Sequence, residues 1–194
     1  MRRLCVLLQF AFWFIAAGGH VDALEIKASV PPVPISSLTV RLADLRSGYQ
    51  TVASGYTIPA GAAGRYAVDF GTLRRHGWQA GYTSLYEHPA LPYASISISI
   101  DQFRSPRGAA WGWRTLQEVM LCCGSAYRLV RAPGIGAQST GYVDEGPTGG
   151  IGVLSREGRY VVDLSIAPHD RGGSLVKLAR LVASRIRARG GSAR

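Results

Sequence analysis

Beyond the first 23 positions, the residue types best suited to covalent or metal chemistry are His76, His88 and His169 and the adjacent Cys122 and Cys123. Their spacing argues against the familiar uses. A serine hydrolase sets its nucleophile in Gly-x-Ser-x-Gly on a strand-to-helix turn. The nearest string, Gly136-Ala137-Gln138-Ser139-Thr140-Gly141, has the wrong spacing and leads into a strand. Cysteine catalysis is helped by a helix N-terminus beside the thiol, whereas Cys122 and Cys123 fall near the C-terminal end of a predicted helix. A metal site needs clustered ligands. The three histidines are separated by 12 and 81 positions, and Asp144-Glu145 and His169-Asp170 read as solvated turn dipeptides. The glycine-rich run 146–152 lacks the Lys-Ser/Thr end of a phosphate loop, and no helix follows it, so it reads as a hairpin loop. No catalytic residue, metal or cofactor is expected.

The cysteine pair keeps several readings. A disulfide between neighbours closes a strained eight-membered ring. The pair follows the apolar Val119-Met120-Leu121, so at least one thiol buried as a small hydrophobe is one reading. A redox-sensitive pair at Cys122 and Cys123, or an intermolecular disulfide, is the other.

The aromatic residues are a stronger functional pointer. Trp78, Tyr82, Tyr86, Trp111 and Trp113, with Arg75 and Arg114 close in sequence, are the candidate ligand-binding set. Such a cleft offers apolar contact plus an anionic anchor. The competing reading is that these rings are core and edge packing. Tyr93, Arg74, Arg104 and Arg107 extend the same composition.

The elements that must position these residues follow a leader. Met1-Arg2-Arg3 is positive, residues 4–17 are apolar apart from Gln9, and Gly18-Gly19 breaks the run. About 14 apolar residues suit a signal peptide and fall short of the ~20 that span a bilayer. Val21-Asp22-Ala23 places the cut after Ala23; the same run retained uncut would be an anchor. Cys5 precedes the apolar run, which is the wrong side for a lipoprotein. Residues 24–37, with Pro31, Pro32 and Pro34, read as a linker, 38–189 as one domain and 190–194 as a disordered tail.

The formal charge of +10 suits polyanions, and for an exported chain an anionic membrane surface or cell-wall polymer is the expected partner rather than nucleic acid. A small anionic or envelope ligand fits the aromatic/arginine cleft. Solvation of the surface by arginine is the plain alternative. The oligomeric state is not readable from the sequence.

Within the domain, residues 38–42 alternate as a strand, 43–49 read as a turn with Asp44 capping and Gly48 left-handed, and 50–53 as a short strand. Residues 54–64 read as a loop and 66–75 as a helix. Residues 78–86, with Gly81 as the expected bulge, pair antiparallel with the strict Ile/Ser alternation of 94–100. Ser105 caps and Pro106 starts a helix ending near Gly124. Residues 125–134 are irregular or a short strand. Strands follow over 138–142, 150–155 and 159–166, the last two joined at Glu157-Gly158. Ser174 caps a final helix to about Arg189, with Leu175, Leu178, Ala179, Val182 and Ile186 as its buried stripe. The class is α+β: an antiparallel sheet with helices packed on one side.

Four stretches carry a resemblance: 42–49 (Leu-Ala-Asp-Leu-Arg-Ser-Gly-Tyr), 98–103 (Ile-Ser-Ile-Asp-Gln-Phe), the 156–162 hairpin and the 178–183 helix. In this order they resemble exported bacterial single-domain proteins, among them extracellular sensor domains of Ser/Thr kinases, related lipoproteins and the PsbP/Mog1-like sandwich. The resemblance covers most of 38–189 and implies binding or sensing rather than catalysis. Paired disulfides of some kinase sensor domains have no counterpart here, so it is a likeness of fold. Three functions follow as expectations: an exported non-catalytic binding or sensing domain, an envelope-association protein held by arginines, and a cryptic hydrolase that requires a histidine bonded to Ser or Cys in a deep pocket.

Overall fold

The computed structural model describes residues 34–91, 93–123, 127–132, 134–146, 149–168 and 173–190. The leader with its cleavage site, the first part of the linker, His169, Asp170 and the tail from 191 lie outside the described residues, as does the side chain of Cys123. The described chain forms a single α+β domain on a seven-stranded, wholly antiparallel sheet.

The elements are β1 (Gln50–Tyr56), α1 (Pro59–Arg65), α2 (Phe70–Arg75), β2 (Trp78–Glu87), β3 (Ser95–Phe103), α3 (Pro106–Cys123), β4 (Tyr127–Val130), β5 (Gln138–Asp144), β6 (Gly150–Glu157), β7 (Tyr160–Ala167) and α4 (Gly173–Gly190). The strand order is β1-β2-β3-β7-β6-β5-β4. Two meanders therefore meet at β3 and β7, with Ser97 opposite Ser165 and Ile100 opposite Val162.

Alternation along these central strands makes two cores. Ile96, Ile98 and Ile100 join Val162, Leu164, Ile166 and Val153, and α4 lays Leu175, Leu178, Ala179, Val182 and Ile186 over them. Each of these valine, leucine and isoleucine side chains contributes roughly 1.5–3 kcal/mol by leaving water. The intervening positions, Phe103, Val161 and Leu154, face the other way and pack with Tyr66, Leu73, Ala109 and Leu116 from the α1, α2 and α3 region. The helices, expected on one side, thus divide between the faces. The reason is legible in β7, where the consecutive Tyr160, Val161 and Val162 are all buried, so both faces need cover.

Local chemistry explains the remaining differences. Residues 38–42 form no strand. Leu38, Thr39 and Val40 are buried in succession, and side chains serve their carbonyls: Tyr86 Oη donates to Val40 O, and Arg185 to Thr39 O. Ile35, placed in the linker, is already core. The expected loop at 54–64 contains α1, started by Pro59 at its first position. The helix expected over 66–75 begins only at Phe70, where Asp69 caps by accepting from the Thr72 N–H. The Ser105 cap, the Glu157-Gly158 turn and the left-handed Gly48 (φ +98°) are as the sequence predicts.

Candidate functional site

The seven aromatic and arginine candidates are not gathered into one cleft. The bulge in β2 falls at Gln79, not Gly81: Trp78 pairs with Phe103 and Ala80 with Gln102. One extra residue reverses the parity of the strand. Trp78 therefore shares the face of Phe103 with Trp111 and Trp113, while Tyr82 and Tyr86 lie on the α4 face. Several polar handles are occupied within the fold. Trp78 Nε1 donates to Asp101 at 3.0 Å and Trp113 Nε1 to Leu154 O at 3.3 Å. Trp111 stacks on His76, with ring centroids 3.8 Å apart and planes within 3°. Burial, and then the charge of Arg75, lowers the His76 pKa below its ordinary value. Arg75 donates to Thr72 Oγ1 at 2.6 Å, and Arg114 is exposed on α3. Cys122 is exposed near the end of the same helix.

Asp101 is the most enclosed acid of this face. It accepts from Arg65, from Tyr66 Oη at 2.8 Å and from Trp78 Nε1. Arg65 ends α1, so the cluster ties that helix to β2 and β3. Three donors satisfy the carboxylate of this structural ion pair, while Arg65 Nε is buried without a hydrogen-bond partner.

Helix α3 crosses the strands at the level of Leu154 and Thr140, to which Trp113 and Gln117 donate. Ser99 and Asp163 share that level, and beyond it register continues the same face with Ser97, Ser165, Gly152, Tyr142, Leu129, Asp144 and Tyr127. This half of the face is built mainly from small and polar residues. Tyr142 lies over Gly152, where an added Cβ would stand 2.0 Å from the ring. Its hydroxyl donates to Asp163 Oδ1 at 2.7 Å. The Tyr127 and Tyr142 rings pack edge-to-face, centroids 5.7 Å apart and planes at 88°. Burial is the main cause that raises the Asp163 carboxyl pKa and lifts the Tyr142 phenol well above its ordinary value.

A small hollow of about 80 Å³ opens here, lined by Tyr127, Tyr142, Asp144, Gly150, Ser165, Ile166 and Ala167. A wider depression of about 440 Å³ adjoins it, with Glu87, His88, Leu91 and Tyr93 on its rim, and Ala167 belongs to both. Tyr93 there holds a positive φ of 65°, unusual for a non-glycine residue. Sequence reasoning misses this hollow. Asp144 reads as a turn residue and Asp163 as an ordinary strand position. The one signal that points to it is the serine side of β3: a central strand with isoleucine on one side and serine on the other implies a face not fully sealed by apolar packing.

No protein-family model matches the chain, and no curated protein matches it. Among solved structures, the extracellular domain of PknH from Mycobacterium tuberculosis superposes with a TM-score of 0.57 at 13% identity, covering 79% of this chain and 94% of that one. The likeness is one of fold alone. Among the described residues no helix is long and apolar enough to cross a membrane.

Proposed function

We propose that this chain is an exported, non-catalytic ligand-binding or sensing domain whose ligand occupies the hollow at the bare end of the sheet. The observation that carries the reading is the polar, partly enclosed lining of Ser165, Gly150 and Asp144 beside Tyr127 and Tyr142, left open where α3 stops covering the face. Ligand sites are concave surfaces of about 300–1,000 Å³ with a few converging polar groups, a size the hollow reaches only together with the adjoining depression. The leader and the fold shared with an extracellular domain support export. The experiment is native mass spectrometry of protein recovered from the envelope or medium, beside a Ser165→Leu variant. Retained small-molecule mass on wild type, lost in the variant, is the expected outcome. Equal occupancy in both removes the hollow as the site.

A second reading has its own observation. Arg104 N donates to Gly77 O at 2.6 Å and Phe103 N to Arg159 O at 2.9 Å, so the end of α2, the start of α3 and the start of β7 meet. Arg74, Arg75, Arg104, Arg107 and Arg159 come together there, and Asp69 is already engaged by Thr72. Such a patch suits an anionic envelope polymer. Retention on an anionic matrix that 0.5 M salt does not reduce would remove this reading, since screening at about 4–5 Å weakens exposed charge pairs.

A further inference from the structure

The hollow also has a chemical preference, which rests on the binding reading above. Four of the described acids are ion-paired: Asp44 with Arg185, Asp101 with Arg65, Glu145 with Arg128 and Glu157 with Arg187. Asp69, Glu87, Glu118, Asp144 and Asp163 have no such partner among the described residues; of these, Asp144 lines the hollow and Glu87 the adjoining depression. Asp144 lines the hollow itself, with Oδ1 accepting from the Gly146 N–H at 2.8 Å. Asp163 stands behind Tyr142 and accepts its hydroxyl hydrogen, which orients that ring. The walls are two phenol rings set nearly at right angles.

A ring face left free by the edge-to-face tyrosine pair, together with the Asp144 carboxylate beside a small cavity, attracts a cation. Ring quadrupoles favour an ammonium head over a neutral group of the same shape, and an unpaired carboxylate adds to this without geometric demand. An anion meets the opposite field, and the arginines that would hold one lie elsewhere. We infer that the Tyr127–Tyr142–Asp144 hollow is a site for the ammonium head of a small organic cation, with the rest of the ligand running past Ala167 into the wider depression.

The probe is choline, paired with its neutral isostere 3,3-dimethylbutanol, and butylammonium as the primary-amine arm. Binding is read by ligand-detected NMR and by shifts of amide resonances near Ser165. Choline or butylammonium should bind at least tenfold more tightly than the neutral isostere. Asp144→Asn should lower that affinity about tenfold, and Asp144→Lys, which carries its own ammonium, should abolish it. Tyr127→Ala should weaken it severalfold. Amide spectra of the variants check folding, and Asp144→Asn keeps an acceptor for the Gly146 N–H if the others misfold. Equal binding of choline and its isostere, unchanged affinity in Asp144→Asn, or no binding of either cation overturns the inference. A neutral ligand found by native mass spectrometry and expelled by Ser165→Leu would sink the ammonium preference while leaving the binding reading intact.

Discussion

Tyr142 and Gly152 sit opposite each other on β5 and β6, and the phenol ring occupies the space that any side chain at 152 would need. This pairing seats the ring over Gly152, and its hydroxyl donates to Asp163. Gly152→Ala must push the ring aside, because the added carbon would fall far inside van der Waals contact. Overpacking of this kind costs about 1–3 kcal/mol. The expected outcome is a lower denaturation midpoint together with loss of the wild-type Tyr142 ring environment in aromatic NMR.

Tyr142→Phe removes the donor and leaves the Asp163 carboxylate short of a partner. Leaving a buried acceptor unsatisfied costs about 1–3 kcal/mol. Urea unfolding of the variant at pH 7 checks this. A change below about 0.3 kcal/mol would mean that the bond contributes nothing to stability.

The raised pKa of Asp163 has a pH signature with a definite sign. Burial is its main cause, opposed by the Tyr142 bond and by the charge of Arg65. A carboxyl with a native pKa above its unfolded value of about 3.9 stabilises fully below that unfolded value, and the contribution is lost as pH rises through the native pKa. Asp163→Asn should therefore gain relative to wild type as pH rises from about 4. Subtracting the two curves removes Asp44 and Asp69, whose pKa values are lowered and whose slopes run the other way. For Asp44, burial acts upward, but the Arg185 and Arg41 interactions together outweigh it.

Asp101→Asn breaks a buried pair whose side chains are 2% and 18% exposed. Removing one partner of such a pair costs about 3–5 kcal/mol, and an Arg65→Met, Asp101→Leu double change should not recover it, because Tyr66 Oη and Trp78 Nε1 would be left as buried donors without their acceptor. Thermal unfolding of the three proteins measures it. A single variant as stable as wild type would contradict the tie between α1 and the sheet.

Strongly periodic segments are legible in the sequence: the Ile/Ser alternation of β3, the Gly158 hairpin, and the α4 stripe of Leu175, Leu178, Val182 and Ile186. Each is fixed by local chemistry and one apolar face. Where parity breaks is not legible. The extra residue at Gln79 sends Trp78 to one face and Tyr82 and Tyr86 to the other, and a bulge leaves little trace in composition. The hollow is hidden for a related reason. Its residues come from β4, β5, β6 and β7, and only register brings Tyr127 opposite Asp144 and Tyr142 opposite Gly152. Residues 38–42 mislead because their alternation in polarity is not an alternation in burial.

The seam between β3 and β7 joins positions far apart in the chain; Ser97 waits for Ser165. Until the last strand is made, Ile96, Ile98 and Ile100 border an unpaired edge, the kind of surface that sticks to its neighbours. Sheet completion is thus a late, long-range closure, which slows folding. A fragment ending after α3 would retain a meander with an open flank, not a miniature of the whole.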